Sequence, residues 1–305
     1  MVTSPHGKVR IGVGLVGARS LPELGPEFDE LVDALDKSAV DSLWLADLAS
    51  KSVIDPLVGS TWAAARTRRL KVGTGVTVLP GRNPMLLAAE LASLATLAPK
   101  RILPVFGIRA ASPEDRQLHP VPGRLPAVFE ESLVVLRRLL TEESVTHHGD
   151  FFTLDDATVL PRPPQPLDLW LGGRADAGLR RAGRFADGWL ASFLTPAETA
   201  RGRSVVENAA RDAGRRIDDD HYGTNIWLAE PGTDVDAALE RAAFQRPDTD
   251  PRELVGVGWE GTAELIRRHV DSGMTKFVVR PSAPIDDWFA YLDRFSAELG
   301  PLESG

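Results

Sequence analysis

The segment "LWLGGRADAGLRRAGRFADGWL", residues 169–190, decides the fold. It begins as an apolar run ending at Trp170 and Leu171, breaks at Gly172-Gly173-Arg174, continues with helical spacing, and returns to an apolar run at Trp189. Strand, turn, helix and strand follow one another in a single short segment, which is the repeating unit of a parallel sheet. Its turn carries two residues without side chains and then a fixed positive charge. Two readings fit that turn. It is either a tight strand-to-helix connection or a phosphate cradle, because a helix N-terminus offers unpaired N–H groups and the positive end of its dipole.

The same alternation runs outward in both directions. Apolar runs occur at "KVRIGVGL" from Lys8, "SLWLAD" from Ser42, "LKVGTGVTVL" from Leu70 and "RILPVFGI" from Arg101. They continue at "LDLWLGG" from Leu167, "GWLAS" from Gly188, "YGTNIWLAE" from Tyr222 and "KFVVRP" from Lys276. Between them lie helical patterns such as "PEFDELVDALDKSA", with Phe28, Leu31, Val32 and Leu35 on one stripe. "PMLLAAELASLATLA" and "FEESLVVLRRLL" read the same way. Eight βα units in 305 residues predict an α/β fold of the (β/α)8 TIM-barrel type. An open doubly wound sheet would carry G-x-G-x-x-G after its first strand, and "GLVGARSLPELGP" lacks it. Two stretches depart from the bare barrel. Residues 142–166 read as a small hairpin or lobe after strand four, and residues 244–260 as a loop after strand seven, before the helix "GTAELIRRHVDSG". With no linker, the chain from 1 to 305 is expected to be one domain carrying these two insertions.

Composition narrows the function. A hydrophobic content of 43% and a charged content of 26% match an ordinary globular protein. The formal charge of -8 argues against broad binding of nucleic acid or anionic membrane, so any anion must be caught locally. The chain has no cysteine, which removes disulfides, thiolate nucleophiles and iron–sulfur clusters. "MVTSPHGKVRIGVGL" does not read as a secretory leader, and no apolar stretch is long enough to cross a bilayer, so a cytoplasmic protein is expected.

In a TIM barrel the chemistry sits at the C-terminal ends of the strands. That rule selects Leu15 to Gly17, Ala46 to Leu48, Val76 to Leu79, Phe106 to Arg109, Gly172 to Arg174, Ser192, Asn225 to Trp227, and Arg280. Asp47 has two readings: a tether for the loop that follows it, or a hydrogen bond to a polar cofactor ring. "VGTGV", Val72 to Val76, puts two glycines inside a strand, which calls for a bulge, an unusual backbone geometry or a close ligand. Arg109 reads as a solvated loop residue or an anion ligand. Arg280 must be hydrated, paired or bound to something. None of the six histidines ends a strand, and the adjacent His147 and His148 would point opposite ways, so no metal site is expected. No G-x-S-x-G elbow marks a serine nucleophile.

Taken together, "SLWLAD", "DPLVGSTWAAARTRRLKVGTGVTVLPGRNPMLLAAELASLATLAPKRI", "PRPPQPLDLWLGGRADAGLRRAGRFADGWL" and "DSGMTKFVVRP" resemble the bacterial luciferase-like superfamily. They are most similar to its actinobacterial coenzyme F420-dependent oxidoreductases, over roughly Lys8 to Arg280. The resemblance implies a deazaflavin lying across the barrel mouth, with its phosphate tail at Gly172, Gly173 and Arg174. It further implies a cis peptide at Gly75–Val76 beneath the ring, a ring hydrogen bond from Asp47, and backbone contacts from Gly107 and Ile108. Relatives often read Asp-His where this chain has Asp47-Leu48. Leucine cannot move a proton, so a sugar-oxidising mechanism does not carry over, and Asp47 is the remaining acid candidate. The resemblance therefore implies hydride transfer to or from a small organic substrate, reduction of an activated double bond or carbonyl above all. Two alternatives stay open: an FMN-dependent luciferase-like monooxygenase, and a deazaflavin-binding protein without catalysis. A homodimer through the helices flanking strands two and three is the assembly implied.

Overall fold

The computed structural model describes residues 7–15, 22–48, 53–108, 117–163 and 165–303. Val16, Gly17 and Arg109, all selected above as strand-end residues, lie outside them. The chain folds as an α/β protein around a curled parallel sheet. Its strands are β1 (Arg10–Gly14), β2 (Ser42–Leu45), β3 (Lys71–Thr74), β4 (Thr77–Val78), β5 (Ile102–Leu103) and β6 (Val105–Gly107). After an antiparallel hairpin, β7 (Val145–His148) and β8 (Thr153–Ala157), come β9 (Trp170–Gly172), β10 (Gly188–Ala191), β11 (Tyr222–Ala229), β12 (Val255–Val257) and β13 (Lys276–Pro281). The helices are α1 (Leu24–Lys37), α2 (Pro56–Arg66), α3 (Pro84–Leu97), α4 (Leu125–Thr141) and α5 (Asp176–Phe185). They continue with α6 (Pro196–Asp212), α7 (Val235–Gln245), α8 (Gly258–Asp271) and α9 (Trp288–Leu299). None of the described helices is long and apolar enough to cross a membrane.

The sheet runs β4-β6-β9-β10-β11-β13-β1-β2-β3-β5, all pairs parallel. Its two ends belong to neighbouring stretches of chain, because β3 pairs β5 while β4 pairs β6. The runs from Leu70 and from Arg101, each read above as one strand, are thus broken in two. The first breaks at a cis Gly75–Val76 peptide. The second breaks at Pro104, which has no N–H for the ladder, although its carbonyl still accepts from Trp170 N at 3.0 Å.

Two layers of core result. Between sheet and helices lies a large apolar layer that includes Leu31, Leu35, Leu91, Leu136 and Ile266. Inside the curl, Trp44, Val105, Trp170, Leu190 and Val278 pack with Val76 and Leu103. Glycine makes that inner layer possible: a Cβ at Gly73 would stand 2.5 Å from the Trp44 ring.

The stretch expected as a loop at 244–260 differs from that reading. Its first residues end α7, a 3-10 turn spans Pro251–Glu253, and α8 starts at Gly258 rather than at Gly261. Between them Val255–Val257 pairs with Trp227–Ala229, because β11 is long enough to leave its outer half open for another strand. Pairing with a distant edge leaves no local periodicity to read. The 142–166 stretch contains the β7–β8 hairpin.

Candidate functional site

The C-terminal ends of the strands come together at one end of the curl. Leu15 N donates to Trp44 O at 3.0 Å, Gly75 N to Leu45 O at 2.7 Å, and Asp47 N to Val76 O at 3.2 Å, so the ends of the first three strand stretches are stitched together. The Asp47 carboxylate is buried and accepts from Val78 N at 3.0 Å and from Arg82 Nη2 at 2.7 Å. The geometry therefore displays the tethering reading of Asp47. Arg82, which the strand-end rule passed over, also donates from Nε to Val78 O at 3.0 Å. Its only sequence signal is its place before Asn83, whose side chain accepts from Met85 N and Leu86 N and caps α3.

Val76 occupies the centre of the mouth. A Cβ at Gly107 would lie 2.8 Å from Val76 Cγ2, and one at Gly172 would lie 2.6 Å from Val76 Cγ1. These two glycines are thus explained by room for a valine from the neighbouring strand. Ile108, just past β6, packs on the outer apolar layer.

Gly173 differs from both. Its φ is 137°, a region closed to ordinary side chains, and a Cβ there would meet nothing closer than Gly178 Cα at 3.9 Å. The same holds in reverse for Gly178. The Gly173 carbonyl accepts from Trp189 Nε1 at 2.8 Å. Because C=O and N–H of a trans peptide point in opposite directions, this turns the Arg174 N–H away from Trp189. Helix α5 begins here without a side-chain cap. An open hollow faced by helix N-terminal N–H groups is what a phosphate requires, so this corner fits the phosphate tail of a flavin-type cofactor. Asp176, an acid in that first turn, is neutralised by Arg201, which donates to both its oxygens at 2.9 Å. Arg174 is exposed, and its guanidinium donates to Gln245 O at 3.3 Å rather than across the hollow.

The far side of the mouth is built by β10, β11 and β13. Phe193, at φ 54°, stacks on Trp227 with ring centroids 6.1 Å apart. Its carbonyl accepts from Arg246 Nη1 at 2.7 Å, and Arg246 also binds Glu198, which forms the capping box of α6 with Thr195. Neither Phe193 nor Arg246 carries a motif; their roles arise from a backbone conformation and an ion pair between distant segments. Asn225 donates to Ala191 O at 3.0 Å and to Ser192 Oγ at 2.8 Å. Arg280 is buried beside it, with its Nε donating to Asn225 Oδ1 at 2.8 Å.

His147, His148 and His269 lie elsewhere. His147 reaches Glu131 at 3.1 Å while the exposed His148 reaches Asp155 at 2.6 Å, on opposite faces of β7. His269 sits beneath α6, and burial pulls its imidazole down to about 3, so it is neutral at physiological pH.

The sequence model of the luciferase-like monooxygenase family matches residues 16–276. The chain belongs to this family. Among curated members, a protein named F420-dependent glucose-6-phosphate dehydrogenase from Nakamurella multipartita is 30% identical, with 92% of this chain and 94% of the relative aligned. One of the same name from Kineococcus radiotolerans is 26% identical over 88% and 90% of the two chains. A solved F420-dependent secondary alcohol dehydrogenase, in complex with an F420–acetone adduct, superposes with a TM-score of 0.81. It covers 98% of this chain and 100% of its own at 20% identity, a likeness of fold. Within the luciferase-like family frame, the half-buried Leu48 stands beside Asp47 at the mouth, and no proton carrier replaces it at that position.

Proposed function

We propose that this chain is an oxidoreductase that binds coenzyme F420 across the mouth of a single (β/α)8 barrel and passes hydride between it and a small organic substrate. Eight parallel strand stretches whose ladders lead from each to the next support the barrel reading, with the β7–β8 hairpin and the β12 segment as its insertions. The hollow over Gly173 and Gly178, in front of the uncapped α5, carries the cofactor reading. The names of the relatives point to the same cofactor. When bound, the deazaflavin supplies the hydride chemistry at its ring. The chain's share is to bind, orient and exclude water. Gly173 and the first N–H groups of α5 hold the phosphate, Gly172 makes room for Val76 in the mouth, and Arg174 stands at the rim as a further positive charge. Asp47 and Arg82 fix the turn through Val76, so that Gly75 and Val76, with the backbone of Gly107 and Ile108, form the surface under the ring. Phe193 and Trp227 form a wall.

With Leu48 beside Asp47, and the Asp47 carboxylate engaged by Arg82, the mouth acts as a holder of charge rather than a proton store. Solvent then supplies the proton, which favours reduction of an activated carbon–carbon double bond or carbonyl over oxidation of a sugar phosphate. A net charge of -8 supports a small-molecule partner rather than nucleic acid or membrane; a cytoplasmic setting belongs to the same proposal. A second copy of the chain is the partner proposed for the exposed apolar stripe of α2 and α3.

The test is a titration of purified protein with coenzyme F420 and, in parallel, with FMN, followed by absorbance and fluorescence. Saturable binding of F420 well below the FMN concentration range is expected, and no F420 binding overturns the reading. Gly178→Ala adds a check of the hollow. A helical glycine is less favourable than alanine by up to about 1 kcal/mol, so the variant is expected to melt at the same or a higher temperature. Its F420 affinity should nevertheless fall about tenfold or more, a loss of about 1.4 kcal/mol. Unchanged affinity removes the phosphate from this corner.

A further inference from the structure

Strand β13 carries two buried cations, and among the described residues only one of them has a counter-charge. At its N-terminal end Lys276 Nζ donates to Asp41 Oδ2 at 2.8 Å. Four residues on, at the mouth, Arg280 is 6% exposed and meets only neutral acceptors: Asn225 Oδ1 at 2.8 Å, Leu15 O at 3.1 Å and Gly75 O at 3.3 Å. Burial alone moves its guanidinium, pulling it down to about 10 with no carboxylate acting the other way, so it stays charged at neutral pH. The acid of the first three strand ends, Asp47, already faces Arg82 at 2.7 Å. Space for the guanidinium is made by two glycines: a Cβ at Gly14 would stand 2.6 Å from Arg280 Cγ, and one at Gly75 would stand 3.0 Å from Nη2. Part of what the "VGTGV" glycines provide is therefore room for this arginine.

A buried charge without a counter-ion is unfavourable unless something of opposite sign shares the site. Here the guanidinium is fixed by the ends of two strand stretches and by Asn225 of β11, and it is bonded to the carbonyl of the Gly75–Val76 peptide. We infer that Arg280 supplies the mouth with an uncompensated positive charge that favours the anionic form of the ring bound above it. The inference rests on the F420 reading. The deazaflavin ring carries an acidic phenol-type hydroxyl whose ionisation changes its visible absorbance. Ionisation breaks only the O–H bond, releases the proton to water, and leaves a delocalised negative charge on the ring. A fixed cation close by lowers the pH at which this happens, by about one to three pKa units for a close charge.

The experiment is an absorbance titration against pH of F420 bound to the wild type, to Arg280→Lys and to Arg280→Met, compared with free F420. Wild type is expected to ionise the bound ring at lower pH than free coenzyme, and Arg280→Lys to keep most of that shift. Arg280→Met should raise the apparent value by about one unit or more. A purely structural role for Arg280 would change melting temperature and affinity without separating the lysine from the methionine variant in the titration. Wild-type protein that binds F420 and leaves its ionisation unshifted overturns the inference, whether or not any variant folds. An Arg280→Met protein that binds and titrates like wild type overturns it as well. Absence of F420 binding by wild type overturns the cofactor reading and this inference together, so the two failures are distinct.

Discussion

The mouth of this protein is shaped by a few side chains that fill the space glycine leaves. Val76 is the clearest case, because Gly107 and Gly172 from two further strands both give way to it. A methyl group at Gly172 would sit 2.6 Å from Val76 Cγ1, well inside ordinary contact. Gly172→Ala is therefore expected to destabilise the fold by about 1–3 kcal/mol through overpacking. Val76→Ala introduced with it should recover a good part of that loss. Urea unfolding of the four proteins in a double-mutant cycle reads the coupling, and additive effects would remove Val76 as the reason for Gly172. Gly173 answers to a different rule: its φ of 137° excludes side chains for backbone reasons, while the space above it is open.

At the level of elements, α2 and α3 begin alike. Asp55-Pro56 and Asn83-Pro84 each pair a side-chain cap with a proline at the first helical position, where its missing N–H does no harm. Each helix also exposes large apolar side chains. Val58 and Trp62, one turn apart on α2, are 64% and 50% exposed, and Leu86 and Leu97, three turns apart on α3, are 65% and 75% exposed. Large apolar side chains exposed on both helices are a surface for a partner rather than for water. We expect the wild type to sediment as a dimer at micromolar concentration. A Trp62→Arg, Leu86→Glu double variant should sediment as a monomer with its far-ultraviolet circular dichroism intact. A monomeric wild type sinks the pairing.

For the molecule as a whole, charge is distributed differently at the two ends of the curled sheet. At the end opposite the mouth, Asp41 lies between Lys276 at 2.8 Å and Lys71 at 3.0 Å. Burial pushes the Asp41 carboxyl up, but the two ammonium groups outweigh it and hold the carboxyl down to about 2. Its folded value thus lies below its unfolded one, so the stabilisation is present above about pH 4 and is lost as pH falls towards 2. The loss expected from this group is about 2 kcal/mol. Denaturant unfolding at pH 4.5 and pH 2.5 reads it, and the slope should shrink in Asp41→Asn. An unchanged slope would clear Asp41 of the role. Among the described residues no such neutralising set surrounds Arg280, so the two ends of β13 differ in how their buried charge is balanced.

Much of the architecture is written locally. Apolar runs of strand length, amphipathic helix stripes and the cap-plus-proline starts mark a parallel α/β sheet, because period, capping and chain length act over a few residues. The Gly172-Gly173 turn was legible for the same reason, as was Asp47 at a strand end. The break at Pro104 and the β12 strand were not, since one depends on which carbonyl lies across the ladder and the other on a free edge of β11. Nor could the sequence say that Gly172 serves Val76 while Gly173 opens a hollow, that Asp47 meets Arg82, or that Arg246 steadies Phe193. Those outcomes depend on atoms brought together from segments tens of residues apart. The sequence determined by itself the main strands and helices and their order. The tertiary structure decided which glycine makes room for a side chain, which leaves open space, and which buried charge lacks a counter-ion among the described residues, because each is settled by distances across the sheet rather than along the chain.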